Sequence, residues 1–433
     1  MGRANEMNKS KETLKKEDFK DYTYVMVSTL NQMVNYIPFK HFEFKEVYNI
    51  TIDDSKYADN KKWDNNIKQF VSINEEITFK QNEISDITTI KKRLQKRLKN
   101  KKIFWNITGG QRPFILAINQ IAKENDVICY LEGNENQMIL LQNNNEIKGL
   151  IEDYSLEDLN IETALKLMGF EIKETETSHR NFINDYDEKE KDFYLNFLKK
   201  YIELIESDKR KDLLKNLMIL NKNYPSKKPE NTYEERIKKY EKERKEAKEQ
   251  IKKLLQLDKK YNNILEKELE AKKKSKSTKS FGYILECLAG YKILSIAKDK
   301  IADMSLSEKI NFSENKVDEY PIDEFDIALL TKNGKFIIFE CKSGSMSGDV
   351  AKSTKYSTYA VSGVYGLPIL ITPLLYEEIV ALRKEILPQK YQYLKDGLYK
   401  NIRKSINSAI RAGLEVWGLD EIEDKFKKYI DLD

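Results

Sequence analysis

The stretch Phe325-Asp326-Ile327-Ala328-Leu329-Leu330-Thr331-Lys332-Asn333-Gly334-Lys335-Phe336-Ile337-Ile338-Phe339-Glu340-Cys341-Lys342 decides how the C-terminal part of the chain must fold. Two apolar runs flank Asn333-Gly334, which is a strong hairpin signal. Side chains alternate faces along a strand, so Glu340 and Lys342 share one face and Cys341 turns to the other, into a core. Burying two such charges is costly without a partner or a metal ion. The length of the turn then decides what stands opposite them. A two-residue turn sets Asp326 across from Cys341. A three-residue loop over 332–334, with Gly334 in the left-handed position of a bulged turn, sets Asp326 across from Glu340 on the same face. We expect the bulged loop.

Carboxylates are hard oxygen ligands that hold Mg²⁺ or Mn²⁺ beside a phosphate. A neighbouring lysine can orient or deprotonate the attacking water, or stabilise charge on the phosphoryl oxygens. Upstream, Glu286 interrupts the apolar helix Phe281-Gly282-Tyr283-Ile284-Leu285-Glu286 and is a further candidate ligand. Asp323 and Glu324 rival Asp326 for the first acidic position. The alternative to a metal site is an edge hairpin with a surface ion pair. The ordered set of helical Glu, strand Asp and strand E-x-K resembles the PD-(D/E)xK restriction-like nuclease superfamily. The resemblance implies Asp326, Glu340 and Glu286 as metal ligands and catalytic acids, with Lys342 as the catalytic lysine.

Outward from the hairpin, the sequence predicts a helix over 281–298, a helix near 349–361, a strand at 368–372 and C-terminal helices, which make residues 280–433 an α/β domain. Lys352, Lys355 and Tyr356 fall on the helix near 349–361, as phosphate contacts or as an ordinary solvated face. Residues 151–279 read as a charged helical connector, broken near 224–229 and closed by the lysine-rich linker 271–279. In it Ile237, Tyr240, Ala247, Ile251, Leu254, Tyr261 and Leu265 follow a 3–4 spacing, with Arg244 and Asp258 interrupting. Such a seam suits another helix, a partner subunit, or a monomeric linker.

Residues 22–150 alternate strands and helices, which favours a mostly parallel sheet covered on both faces. Expected strands lie at 24–27, 47–52, 77–79, 103–105, 127–131 and 138–141. Helices are expected at 31–42 as far as Pro38, at 61–73, at 86–99 and at 113–123. Two strand ends carry polar loops, Ser28-Thr29-Leu30-Asn31-Gln32 and Asn106-Ile107-Thr108-Gly109-Gly110-Gln111-Arg112. The second opens a helix at Pro113, where glycines allow close backbone approach and the helix N-terminus favours an anion. It is neither a Walker loop nor a G-x-G-x-x-G fingerprint. In a doubly wound sheet both loops can lie where strand order reverses, the usual ligand position.

This arrangement resembles the CARF domain, a Rossmann-like sensor of CRISPR-associated proteins. Asn106, Thr108, Gly109, Gly110, Gln111 and Arg112 match its N-x-T-G-G-T/Q-basic loop. CARF followed by PD-(D/E)xK resembles the CARF-nuclease effectors of type III CRISPR systems. That resemblance implies a homodimer that cuts DNA, RNA or both, with Mn²⁺ or Mg²⁺, once cyclic oligoadenylate binds. Ser28, Thr29, Asn31 and Gln32 would join the Asn106–Arg112 loop in holding the ligand. Cyclic tetra-adenylate is the expected ring by resemblance only. The rival readings are an ungated restriction or repair nuclease and a non-enzymatic transcriptional sensor.

Composition narrows the chemistry. The 433 residues carry 76 Lys plus Arg against 71 Asp plus Glu, a net charge of +5, with 2 His and 3 Cys. No Cys/His zinc spacing occurs, and a Ser-His-Asp or Cys-His device would have to use one of two isolated histidines, His41 or His179. Three unpaired cysteines suggest a reducing, cytoplasmic compartment. No apolar run is long enough to span a membrane, and residues 1–21, polar and lysine-rich, are expected to be mostly disordered. The basic run from Lys91 to Lys102 is expected to be a solvated outer helix rather than a nucleic-acid site.

Overall fold

The computed structural model describes the chain except residues 1–15, 54–57, 133–136, 144, 148–153, 174–179, 186, 223–224, 226–228, 230–231, 270–279, 313–321, 364–365 and 431–433. The expected linker at 271–279, most of the break near 224–229, and His179 lie outside the described residues. The chain divides into two compact units. Unit 1 comprises Met1–Glu171, Phe312–Val317 and Thr331–Lys335, and unit 2 comprises the remainder.

Unit 1 is built on the strands β1 (Thr23–Val27), β2 (Glu46–Asp53), β3 (Glu75–Lys80), β4 (Ile103–Asn106), β5 (Val127–Glu132), β6 (Gln137–Gln142) and β7 (Asn145–Glu146). Their order is β3-β2-β1-β4-β5-β6-β7. β1 pairs in parallel with both β2 and β4, so strand order reverses between β1 and β4. Only β6 runs against the others, pairing antiparallel with β5 on one side and β7 on the other. The helices are α1 (Met33–Phe42), α2 (Ala58–Lys68), α3 (Ile87–Arg97), α4 (Arg112–Ile121) and α5 (Ile161–Leu167).

One expectation needs correction here. The first helix does not stop at Pro38: α1 runs through it to Phe42. Pro38 lacks the N–H that would bond the carbonyl four residues back. That carbonyl, on Val34, instead accepts from Asn106 Nδ2 at 2.8 Å. Of residues 1–21, expected to be mostly disordered, 1–15 lie outside the described residues. Lys16–Phe19 forms a 3₁₀ turn whose Phe19 ring is fully buried beside Phe42 and Phe104. The α3 cations are directed at their own unit: Arg93 bonds Glu83 and stacks over Phe79, and Arg97 pairs with Glu75.

Unit 2 carries the short strands β8 (Phe170–Ile172) and β9 (Arg180–Asn181), then the helices α6 (Glu188–Glu203), α7 (Lys209–Leu220), α8 (Tyr233–Leu255) and α9 (Asn262–Leu269). Next come α10 (Ser280–Ala297), β10 (Ile301–Phe312), β11 (Asp323–Thr331), β12 (Phe336–Cys341), α11 (Gly348–Ser362) and β13 (Pro368–Ile371). α12 (Tyr376–Leu382), α13 (Lys400–Ala412), β14 (Glu415–Trp417) and α14 (Ile422–Tyr429) complete it. The sheet order is β14-β13-β12-β11-β10-β8, with β9 pairing β10. The seam of α8 packs within this unit, with Ala247, Ile251 and Leu255 in the same core as Leu213, Leu214 and Leu217 of α7. Arg244, the expected interruption, is buried and its guanidinium donates to the Leu220 carbonyl at the end of α7. It therefore satisfies an orphan helix carbonyl instead of breaking the seam.

Candidate functional site

The hairpin register follows from the loop. β11 and β12 pair Ile327 with Phe339, Ala328 with Ile338, Leu329 with Ile337 and Leu330 with Phe336. Thr331 and Lys335 close a three-residue loop, and Gly334 has φ of +85°. Continued one residue outward, the register places Asp326 across from Glu340, as the bulged loop requires. Cys341 is buried in the core behind them.

The charged side chains converge. Lys342 Nζ lies 3.1 Å from Asp326 Oδ2 and also contacts Glu340 Oε1. The Cys341 N–H donates to Asp326 Oδ2 at 2.7 Å, which fixes that carboxylate at the strand end. Of the rival acids, Glu324 pairs with Lys309 at 3.7 Å, and Asp323 accepts from the Glu324 N–H. Glu286 comes down from α10 close enough to Asp326 for its charge to be felt.

Electrostatics marks this cluster. Burial, reinforced by the Asp326 charge, pushes Glu340 up to about 8 against the pull of Lys342. The same two causes raise Glu286 well above the usual carboxylate range. Burial alone would lower Lys342, but Asp326 and Glu340 outweigh it and hold the ammonium well above its ordinary value. Lys342 is thus a cation, not a base, in this arrangement. Buried carboxylates whose protonated forms are favoured by each other's presence are a group that calls for added positive charge. Their oxygen-only donor set suits a hard divalent ion. Among the described residues no three His, Cys, Asp or Glu side chains form a ready metal cluster, and the Lys342 ammonium bridges Asp326 and Glu340.

In unit 1 the polar loops after β1 and β4 stand side by side at the strand-order reversal. Gly110 has φ of +91°, and a Cβ on it would run into Val27. A Cβ on Gly109 would fall 2.6 Å from Thr29 Cγ2, so the glycines let the two loops touch. Gln111 and Arg112 are exposed at the start of α4, and Ser28, Thr29 and Asn31 are half-buried. Gln32 and Asn106, expected to face a ligand, are instead completely buried. Gln32 Nε2 donates to Ser28 Oγ and to the Trp63 carbonyl, both at 3.0 Å. Asn106 Nδ2 donates to Tyr24 Oη, Val34 O and Asn35 Oδ1, while its Oδ1 accepts from Thr108 N and Oγ1. Thr108 Oγ1 in turn accepts from Leu131 N at 2.8 Å. Gln32, Asn106 and Thr108 therefore shape the loops from beneath. Sequence reading missed Tyr24 and Asn35, the inner partners of this network; the proline inside α1 was the one signal that a carbonyl needed a donor.

His41 packs on Phe42 and Tyr154 and is lowered to about 4 by burial, so it is neutral at pH 7.

No protein-family model matches the chain, and no curated protein does. Solved structures do. Protein VC1899 from Vibrio cholerae matches with a TM-score of 0.58 at 14% identity, over 95% of this chain and 97% of that one. Can2 from Sulfobacillus thermosulfidooxidans, solved in complex with cyclic tetra-adenylate, matches with a TM-score of 0.56 at 14% identity, over 96% of this chain and 99% of that one. Both likenesses run nearly end to end, so the chain shares its fold, from the N-terminal parallel sheet to the C-terminal mixed sheet, with these proteins.

Proposed function

We propose that this chain is a metal-dependent endonuclease of type III CRISPR defence, gated by cyclic oligoadenylate and acting as a homodimer. The observation that carries the reading is the convergence of Asp326, Glu340 and Lys342 on one end of the β11–β12 pair. The switch-point loops of unit 1 support the gate, and the fold shared with a cyclic tetra-adenylate complex supports the ligand.

In this reading Asp326, Glu340 and Glu286 would hold the Mn²⁺ or Mg²⁺. The ion supplies Lewis acidity toward the phosphoryl group and a water of lowered pKa. Hydrolysis forms a bond from the water oxygen to phosphorus and breaks the bond to one strand's oxygen. Lys342, held protonated by two carboxylates, offsets negative charge growing on the phosphoryl oxygens. The Cys341 N–H keeps Asp326 aimed at the site. In unit 1, Ser28, Thr29, Asn31, Gly110, Gln111 and Arg112 would form the ligand-facing surface over the buried Gly109, with Arg112 giving a charge-assisted bond to a phosphate. Gln32, Asn106 and Thr108 position those loops.

The test is cleavage of supercoiled plasmid, single-stranded DNA and RNA with Mn²⁺, with and without cyclic tetra-adenylate. Cleavage should appear with the ligand and fall by about 10²-fold or more in Glu340→Ala and Lys342→Ala, as for loss of a preorganised charge. Equal cleavage without any cyclic oligoadenylate would favour the ungated nuclease.

A further inference from the structure

The cations of unit 2 are unevenly placed. A groove of about 610 Å³ runs between α11 and α13, lined by Lys352, Lys400, Arg403, Lys404 and Arg411 and by no acidic side chain. The α13 sequence Lys400–Ala412 holds four of these cations and no Asp or Glu. Arg403 donates to the Leu394 and Asp396 carbonyls and so braces the preceding turn. Lys400, Lys404 and Arg411 have no ion-pair partner among the described residues. Lys352 has only the exposed Asp349 at 3.9 Å. The α13 row thus presents positive charge to the groove with no acidic side chain lining it. From Lys400 to Arg411 the helix rises roughly 16 Å, the length of several phosphates along one strand.

Beside the groove, α11 adds a second, independent feature. Lys352, Tyr356 and Tyr359 recur at spacings of four and three along α11, so they share one helix face. Tyr356 is 72% exposed and Tyr359 41%. Lys355 ties the two walls together, its Nζ 6.0 Å from the Tyr359 ring centre and beside Gly413 at the end of α13. The groove is also anchored to the candidate catalytic strand. Ser405 Oγ donates to the Gly344 carbonyl at 2.6 Å and Ser408 Oγ to the Met346 carbonyl at 3.1 Å. Both carbonyls belong to the loop that leaves Lys342.

We infer that the α11–α13 groove and the adjoining face of α11 form a docking surface for single-stranded nucleic acid, its phosphates lying along Lys352, Lys400, Lys404 and Arg411 and its unpaired bases stacking on Tyr356 and Tyr359 beside the groove. Cations in a row recognise the backbone of any strand. Exposed aromatic faces recognise only bases that are not already stacked in a duplex. The inference deepens the nuclease reading and rests on it for the fate of the bound strand, but binding itself is measurable without cleavage.

The experiment is fluorescence anisotropy on the full chain in EDTA, with and without cyclic tetra-adenylate. Labelled oligothymidylate, oligouridylate and a DNA duplex are the probes, titrated across a salt series. The double variant Lys404→Glu/Arg411→Glu should bind both single strands about tenfold or more weakly and with a shallower salt slope. Tyr356→Ala/Tyr359→Ala should weaken single-strand binding about tenfold while leaving duplex binding within about twofold. Lys404→Gln/Arg411→Gln repeats the first arm, should the reversal disturb folding. Affinity and salt slope equal to the parent's in the charge variants would overturn the surface. Equal weakening of duplex and single strand in the tyrosine variant would overturn the single-strand assignment. Absence of cleavage by the parent with binding lost in the charge variants would sink the nuclease reading and leave the groove standing.

Discussion

At the scale of single residues, the decisive ones were visible because they break a pattern. Glu340 and Lys342 are charges inside an apolar strand, and Glu286 is a charge inside an apolar helix. Asn106 was visible only as part of a loop motif; its buried role depends on a carbonyl 72 residues away, freed by Pro38, which no local pattern reveals. The carboxylate cluster has a consequence for stability. Glu340 is raised by burial and by Asp326 to about 8, against an ordinary 4.5. Between those values the folded chain binds more protons than the unfolded one, so stability falls as pH rises through that window. Above about 8 both states are ionised at this position and its cost no longer grows. In metal-free buffer the urea midpoint should therefore decline from about pH 5 to 8. Glu340→Gln should flatten the decline, and saturating Mn²⁺ should reverse it by binding the ionised form. An identical pH profile in parent and variant would contradict the raised value.

At the scale of elements, the hairpin was the most legible part of the chain, since turn chemistry and face alternation together allow one register that groups the charges. Elements that break periodicity were the least legible. β10 was missed because its sequence Ile301–Phe312 mixes Asp, Ser, Glu, Lys and Asn into the strand. Ser307 there takes φ of 52° and interrupts the alternation, while Ser305 and Glu308 are buried and bonded to each other at 2.8 Å. The α8 seam was legible as a seam, but its spacing could not say which helix would meet it. The hairpin's own weak point is Gly334. Its φ of +85° is strained for any side chain, and a Cβ would stand 2.5 Å from Ile37 Cδ1. Gly334→Ala should destabilise the protein by about 1–3 kcal/mol, as expected for Ala where φ is positive and space is lacking. Thermal or urea denaturation reads this directly. Because the loop length sets the Asp326–Glu340 register, a shortened loop lacking Asn333 should cost far more cleavage than stability.

At the scale of the whole molecule, the near-neutral net charge of +5 conceals separate local accounts. Arg93 and Arg97 of α3 are paired within unit 1, the α8 charges form mixed surface pairs such as Lys222 with Glu243, and Lys400, Lys404 and Arg411 of α13 have no ion-pair partner among the described residues. Two histidines and three buried cysteines fit chemistry that uses neither imidazole nor thiolate. Sequence could place both candidate sites in their sheets, yet only the strand order β3-β2-β1-β4-β5-β6-β7 puts the two polar loops beside each other, because pairing of distant strands leaves no local trace. The two sites are separable by experiment. A ligand that binds only the folded state stabilises it by about 2.7 kcal/mol at a hundred times its dissociation constant. Cyclic tetra-adenylate should therefore raise the melting temperature of the parent. Glu340→Ala, altered only in unit 2, should keep the full shift while losing cleavage. Arg112→Ala should lose most of the shift, and its cleavage should need more ligand for half-maximal activation without a lower plateau. If Arg112→Ala instead keeps the shift, Arg112 is not a ligand contact. If no cyclic oligoadenylate shifts the parent at all, the gate itself fails, while the catalytic assignment of Glu340 and Lys342 is still decided by cleavage.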